Sequence, residues 1–278
     1  MNTQYISINN QLYTEEEAKI SVTDLAIQRG FGIFDFLKTI NGNPIFIEDH
    51  FNRFYNSAKE MNLAVGFTRE ALFDAVSKLM EKNNLPNSGI KFILTGGFSD
   101  DGYSISHPNL IIVQTPFEID NNNFSKGINL VTYGHQRQLP TIKTIDYLQA
   151  IRLQPFIKEK QADDVLYHDK GQIRECPRAN FFIVSGNKII TPKNDVLRGI
   201  TRSKILGLKI DGFTIIEQDF MLSDLANADE TFISSSTKNA LPVLTIDGKQ
   251  IGNGKAGAVT KQINEQLSAL IAGSILQY

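Results

Sequence analysis

Leu139-Pro140-Thr141-Ile142-Lys143-Thr144-Ile145-Asp146-Tyr147 is the first part of a spaced set. Arg174-Glu175-Cys176-Pro177-Arg178-Ala179-Asn180-Phe181 follows, with Glu175 lying 32 positions beyond Lys143. Leu197-Arg198-Gly199-Ile200-Thr201-Arg202 completes it. Taken singly, each member has a plain explanation. Lys143 could be a loop lysine on the surface, Glu175 a carboxylate paired with Arg174 or Arg178, and Gly199-Ile200-Thr201 an ordinary capped helix start. The order and spacing of all three give the reading its weight.

Working outward, apolar runs broken by turns predict strands at 164–168, 172–174, 179–184 and 188–191. Ser185-Gly186-Asn187 turns the last pair back on itself. Helices are expected at 146–160, 201–208 and 255–272, and strands at 128–133, 214–217 and 231–235. Toward the start, Tyr5-Ile6-Ser7-Ile8, Asn9-Asn10 and Gln11-Leu12-Tyr13 form a hairpin signal. Asn41-Gly42 predicts a second hairpin, joining a strand over 33–40 to Pro44-Ile45-Phe46-Ile47. From Glu48 the apolar residues Phe51, Phe54, Tyr55, Ala58 and Met61 recur at helical steps. A further helix is expected over 68–82, and strands at 91–96 and 110–115.

Residues 117–125 are polar and turn-rich, and mark a linker. They divide a small N-terminal α/β domain, 1–116, from a larger C-terminal α/β domain, 126–278. Short strands mixed with helices, without clean βαβ alternation, predict an α+β (mixed α/β) fold and argue against a Rossmann sheet or TIM barrel.

Composition narrows the function classes. The 278 residues carry a net charge of −2, are 41% hydrophobic and 21% charged, and have a pI near 6.1. Such a chain offers no global attraction to nucleic acid or an acidic membrane, so an anionic ligand needs local positive groups. The one cysteine, Cys176, excludes an internal disulfide framework. No secretory signal is visible and no apolar run nears the ~18 residues of a membrane span, so the cytoplasm is expected. Asn123-Phe124-Ser125 matches a glycosylation acceptor but has no export signal to give it meaning. Gly30-Phe31-Gly32 lacks the third glycine of a dinucleotide fingerprint, and His50, His107, His135 and His168 show no metal-ligand spacing. No metal is expected.

The chemistry of the set is specific. A lysine amine can join an aldehyde covalently once neighbours or burial favour its neutral form, and Ile142 and Ile145 suggest an apolar setting for Lys143. A carboxylate such as Glu175 favours the protonated form of a pyridine nitrogen beside it. Exposed amides after Gly199, with Thr201 at the cap or first turn, suit a phosphate. Arg53, between Phe51 and Phe54, points partly inward and has the fork for a phosphate, although a solvated arginine would fit the same sequence. Together these groups can hold a phosphorylated pyridine aldehyde.

Over nearly the whole chain, from Asp24-Leu25-Ala26-Ile27-Gln28-Arg29-Gly30 to Pro242-Val243, the sequence resembles the fold-type IV (class IV) pyridoxal-phosphate-dependent aminotransferase family. That family includes branched-chain aminotransferases, D-amino-acid aminotransferases and aminodeoxychorismate lyases. The resemblance implies a two-domain, D-amino-acid aminotransferase-like fold with pyridoxal 5'-phosphate held between the domains. It also implies a homodimer with shared active sites. Lys143 matches the lysine that joins the cofactor and shuttles the substrate's proton, and Glu175 matches the carboxylate on the ring nitrogen. Arg53, Ile200, Thr201 and Ser236 match the phosphate cup, and Leu197 matches the side chain packed on the ring.

The substrate-facing positions depart from the family patterns. The loop Thr95–Tyr103 has Asp101 where D-enzymes and lyases carry an arginine, and Tyr103 where bacillus-type D-enzymes carry a histidine. Lys143-Thr144-Ile145-Asp146 replaces the Lys-His-Leu-Asn of lyases. Arg178 stands where a small residue is usual, and Arg29 stands where branched-chain enzymes offer a tyrosine across the dimer. Arg178 and the partner subunit's Arg29 are expected to form a replacement clamp for the substrate carboxylate, unless Arg178 pairs with an acid and points away. Phe34, Tyr147 and the Thr237-Lys238 turn are expected to line the rest of the pocket. The expected reaction moves an amino group from an amino acid of D-alanine or D-glutamate type to a 2-oxo acid. Branched-chain L-amino-acid transamination and 4-amino-4-deoxychorismate lysis are the alternatives.

Overall fold

The computed structural model describes residues 4–118 and 123–275. The chain folds as two compact units. Among the described residues, the first takes in 4–118, 142–146 and 274–275, and the second 123–141 and 147–273. The segment Ile142–Asp146, which carries Lys143, therefore belongs to the first unit although it lies beyond the linker. Part of that linker, 119–122, lies outside the described residues.

The first unit holds β1 (Tyr5–Ile8), β2 (Gln11–Thr14), α1 (Leu25–Arg29), β3 (Gly32–Ile40) and β4 (Asn43–Pro44). It continues with α2 (Ile47–Glu60), α3 (Arg69–Asn83), β5 (Ser88–Thr95) and β6 (Leu110–Pro116). Its strands form one antiparallel sheet in the order β2-β1-β6-β5-β3-β4. Asn9 and Asn10 both take positive φ, 50° and 66°, as do Asn41 and Gly42, 50° and 77°. Two successive positive φ values match the twist of the flanking strands, which is why these two-residue loops make hairpins. α1 is short and lies outside the sequence expectation. Asp24 caps it by accepting from the Ala26 amide, and Gly30 ends it at φ 65°.

The expected strand over 44–47 shrinks to Asn43–Pro44, because Phe46 at φ 55° already turns the chain into α2. α2 buries Phe51, Phe54 and Ala58 against Ile33, Leu37 and Phe92 of the sheet, forming one core with Leu72, Val76 and Leu79 of α3. The edge-on rings of Phe51 and Phe92, 5.6 Å apart, lie in this core.

The second unit begins with α4 (Asn123–Lys126), β7 (Ile128–Gly134), α5 (Leu148–Arg152), α6 (Gln154–Glu159), β8 (Asp164–Asp169) and β9 (Gln172–Ile173). It continues through β10 (Glu175–Cys176), β11 (Ala179–Ser185), β12 (Lys188–Thr191), α7 (Ile200–Leu206) and β13 (Thr214–Glu217). A 3-10 turn (Leu222–Asn227), β14 (Glu230–Ser235), β15 (Asn239–Ile246), β16 (Lys249–Gln250) and α8 (Ala258–Ile275) complete it. The sheet runs β13-β12-β11-β14-β15-β7-β8-β9, with β10 paired to β11 and β16 to β15. β12–β13, β15–β7 and β7–β8 are parallel and the other pairs antiparallel. One face packs Leu166, Phe181, Ile233 and Leu241, and the other packs Phe182, Phe232 and Ala240 against Ile205, Ile263 and Leu267.

The continuous helix expected over 146–160 is broken into α5 and α6. Pro155 sits in the first turn of α6, and its missing amide and fixed ring favour a new helix start over a continued one. Glu230 closes the start of α8 from a distance, accepting from the amides of Val259 and Thr260 at 3.0 and 2.8 Å. With an antiparallel sheet in one unit, a mixed sheet in the other and helices packed on them, the fold is α+β, as the sequence suggests.

Candidate active site

In the first unit, β3 alternates its side chains across the sheet, so Ile33, Asp35, Leu37 and Thr39 share the face that meets α2. Asp35 thus places a carboxylate, 0% exposed, among core residues. Two residues one helical turn apart on α2 answer it. Arg53 donates Nε to Oδ2 and Nη2 to Oδ1, each at 2.7 Å, and His50 Nδ1 lies 2.7 Å from Oδ1. The Phe36 amide is the fourth donor to the carboxylate, reaching Oδ1 at 2.7 Å.

Burial pushes the Asp35 carboxyl upward, but the Arg53 guanidinium and His50 outweigh it and hold the group well below the usual carboxylate range. Burial pushes His50 down, against the pull of Asp35 and with help from Arg53 and Lys143. A neutral His50 then donates its Nδ1–H to the carboxylate. Arg53 is held as a planar fork by two of its nitrogens, and Nη1 stands outside that pair.

Lys143 lies close to this group. Its segment pairs along the start of β3: the Phe34 amide donates to the Lys143 carbonyl at 2.9 Å, and the Ile145 amide to the Gly32 carbonyl at 3.1 Å. The Lys143 amide reaches Ser57 Oγ, one turn beyond Arg53 on α2, at 3.5 Å. Its Nζ stands 4.5 Å from the centre of the Phe34 ring. Ile142 is buried in the unit's core and Ile145 half-buried, so the apolar setting read from the sequence is present.

Elsewhere in the same unit, Arg29 is exposed and donates Nε to the Gly102 carbonyl at 3.2 Å. Asp101 organises that loop, accepting from the amides of Tyr103 and Ser104 and from the hydroxyls of Ser99 and Ser104. These bonds hold its carboxyl well below the usual range, and the side chain serves the loop's own folding.

In the second unit, β10 and β11 form a tight hairpin in which Glu175 pairs with Asn180 and Cys176 with Ala179. Glu175 is buried and both its oxygens are taken: Arg137 Nη1 lies 3.1 Å from Oε1, and Asn180 Nδ2 and the Leu197 amide donate to Oε2 at 3.2 and 3.0 Å. Neither Arg174 nor Arg178 pairs with it among the described residues. Arg174 turns to Gln136, Asp169 and Asp195. Arg178 stands exposed in the Pro177-Arg178 turn and makes no salt bridge among the described residues.

Asn180 also donates to the Leu197 carbonyl at 2.7 Å, so one amide side chain ties the hairpin to the stretch leading into α7. The cap of α7 is Gly199 and the helix starts at Ile200, so Thr201 lies in its first turn. Gly199 takes a φ of −64° that is open to any residue. Its glycine is required because a Cβ there would stand 2.1 Å from Asn180 Oδ1. No side chain caps this helix start, and its first amides have no partner within the helix. Leu197 is half-buried beside it.

The Asn180–Ser234 pairing brings the end of β14 alongside the hairpin, and Ser236 and Thr237 form the turn after it. Ser234 Oγ is buried and has no hydrogen-bond partner among the described residues. Tyr147 precedes α5 and is half-buried.

The first unit thus joins Arg53 and His50 to Asp35, sets Lys143 beside Phe34 and near enough to His50 to bear on its charge, and keeps Arg29 at a separate loop. The second gathers Glu175, Leu197, Ile200 and Thr201, with Arg178 at the tip of the same hairpin. Asp35, His50, Arg137 and Asn180 are bonded to these candidates, or to one another, and are overlooked by the sequence reading. Asp35 could have been found, since a charged residue in the apolar phase of Ile33-x-Asp35-x-Leu37 requires partners. Arg137 leaves no such signal. Among the described residues no group of three or more His, Cys, Asp or Glu side chains could hold a metal, and no helix is long and apolar enough to cross a membrane.

The family model for amino-transferase class IV matches residues 32–246. The D-alanine aminotransferase of Staphylococcus haemolyticus is 30% identical over 274 residues, covering 96% of this chain and 97% of the relative. The branched-chain amino acid aminotransferase of Escherichia coli superposes with a TM-score of 0.90 at 26% identity, covering 98% of this chain and 96% of that one. The branched-chain aminotransferase of the thermophilic archaeon Thermoproteus uzoniensis, solved with norvaline, shares the fold at a TM-score of 0.87 and 24% identity, covering 98% and 96%.

Proposed function

Because this chain belongs to the class IV amino-transferase family and is a pyridoxal-phosphate-dependent aminotransferase, we propose that its donor is a D-amino acid of D-alanine or D-glutamate type. The acceptor is a 2-oxo acid. The observation that carries this reading is Arg178, an exposed guanidinium without a salt bridge among the described residues, three positions past the clamped Glu175. A substrate carboxylate is the natural counter-ion for such a group. Asp101, committed to its own loop, leaves that task to arginines elsewhere. The 30% identical D-alanine aminotransferase supports the same direction.

Each unit offers side chains whose chemistry suits pyridoxal 5'-phosphate. Lys143 offers the amine, and Glu175, held by three donors, offers a fixed carboxylate for the ring nitrogen. Arg53, the uncapped amides at Ile200 and Thr201, and the Ser236 hydroxyl offer phosphate donors, and Leu197 an apolar surface for the ring. When bound, the cofactor supplies the electron sink that makes the α-proton of an amino acid removable. Lys143 Nζ then takes that proton and returns it, as a general base with an aromatic neighbour in Phe34. Arg178, with Arg29 of the partner subunit, grips the substrate carboxylate, and Phe34, Tyr147 and Thr237 border the side chain.

The same reading includes a homodimer in the cytoplasm. The exposed apolar side chains Val22, Ile27, Phe98, Tyr103 and Ile105 of the first unit support the dimer. The single cysteine, buried and free, needs no oxidising compartment. A branched-chain L-amino acid is the second reading, favoured by the aromatic Phe34 and by the 26% identity to the E. coli enzyme. A panel of D- and L-amino acids, followed through the cofactor's visible absorbance, decides. Change with D-alanine or D-glutamate alone supports the first reading, and change with L-leucine or L-valine alone replaces it with the second.

A further inference from the structure

We infer that Asp35 and His50 are positioning residues that set the Arg53 fork for a phosphate ester, an inference that rests on the reading of Arg53 as a phosphate ligand. The cost of the arrangement is its first support. Asp35 sits at a core position of β3, 0% exposed, between Ile33 and Leu37, where an apolar side chain would pack at least as well. A buried ion pair is often no more stabilising than an apolar replacement, so its presence needs a purpose other than holding the core.

Geometry supplies the purpose. Arg53 uses Nε and Nη2 for the carboxylate, which fixes the plane of the guanidinium and leaves the edge bearing Nη1 for another acceptor. The side chain is 12% exposed, so it is not fully sealed in the core. His50, one turn before Arg53 on the same helix face, donates to the same Asp35 oxygen that accepts from Nη2, and the Phe36 amide bonds it too. The carboxylate is therefore held by strand and helix together and cannot swing with the arginine. Without Asp35 the guanidinium would keep its charge and lose its orientation, and a bidentate grip depends on orientation.

The test compares two ligands on apoprotein by direct titration: pyridoxal 5'-phosphate, and pyridoxal, which lacks the phosphate. Arg53→Met should weaken the phosphate ester at least about tenfold, as expected for lost charge-assisted bonds, and leave pyridoxal unchanged. Asp35→Asn, which keeps size and can still accept from Arg53, should reduce the same ratio several-fold with pyridoxal again unchanged. His50→Gln should do so to a smaller degree, and serves if Asp35→Asn does not fold. A ratio unmoved by Arg53→Met overturns the reading of Arg53 itself. A ratio lowered by Arg53→Met but unmoved by both other variants overturns only the positioning role. Equal weakening of both ligands by Asp35→Asn or His50→Gln also overturns it, because a merely structural contribution affects both alike.

Discussion

Arg137 Nη1 lies 3.1 Å from Glu175 Oε1, and the two side chains are only 18% and 6% exposed. Arg137 also donates to the Pro140 carbonyl at 3.0 Å, so the cation is braced in place. Together with Asn180 and the Leu197 amide, it fixes the direction in which Glu175 can act. Arg137→Met would remove this cation from a buried carboxylate, at a cost of about 3–5 kcal/mol. Denaturant unfolding should show that loss, and Arg137→Lys should recover only part of it, since the lysine keeps the charge on a different, more flexible stem.

Gly199 faces a different constraint. Because a Cβ would overlap Asn180 Oδ1, Gly199→Ala must displace the side chain that joins Glu175 to Leu197. The expected cost is about 1–3 kcal/mol in thermal or denaturant unfolding, typical of overpacking. Gly207→Ala, where the nearest atoms lie at ordinary contact distance, should cost less.

For the substrate clamp, Arg178→Ala should lower kcat/KM for D-alanine by about tenfold to a hundredfold, the value of one or two charge-assisted hydrogen bonds. Steady-state kinetics on both variant and parent measures it. The cofactor's own affinity should not change, since Arg178 makes no bond to Glu175 or Leu197 among the described residues. Undiminished kcat/KM would remove Arg178 from the clamp.

Lys38 gives a pH signature. It is buried on β3, and burial pushes its amine down to about 8, against about 10.4 in an unfolded chain. Between these values the unfolded state binds more protons than the folded one, so this residue makes stability rise as pH increases from about 8 toward 10.4. Lys38→Met should flatten that part of the stability–pH curve, measured by denaturant unfolding at several pH values. A slope unchanged in the variant would show that Lys38 is not its source.

Much of the chain's organisation is visible in its residues, for identifiable reasons. The Asn9-Asn10 and Asn41-Gly42 turns are legible because few residues tolerate two successive positive φ values. α2 is legible because Phe51, Phe54 and Ala58 repeat at the helical step toward one core. α1 is hidden because five residues carry no period, and only Asp24 and Gly30 mark its ends. The break between α5 and α6 depends on one proline within a helix-like pattern. Lys143, Glu175 and the stretch around Gly199 are candidates by their order alone. The Asp35–His50–Arg53 group joins residues on a strand and a helix that only packing brings together. Arg137 reaches Glu175 across 38 positions, and nothing local to either residue announces the pair.

Covalent attachment at Lys143 is the claim on which the functional account depends. Borohydride reduction of the holoprotein, followed by digestion and mass spectrometry, locates the lysine that carries the pyridoxyl group. The account predicts that group on the peptide containing Lys143, and its loss in Lys143→Ala. A pyridoxyl group on another lysine, or none on a protein that retains bound cofactor, would contradict it.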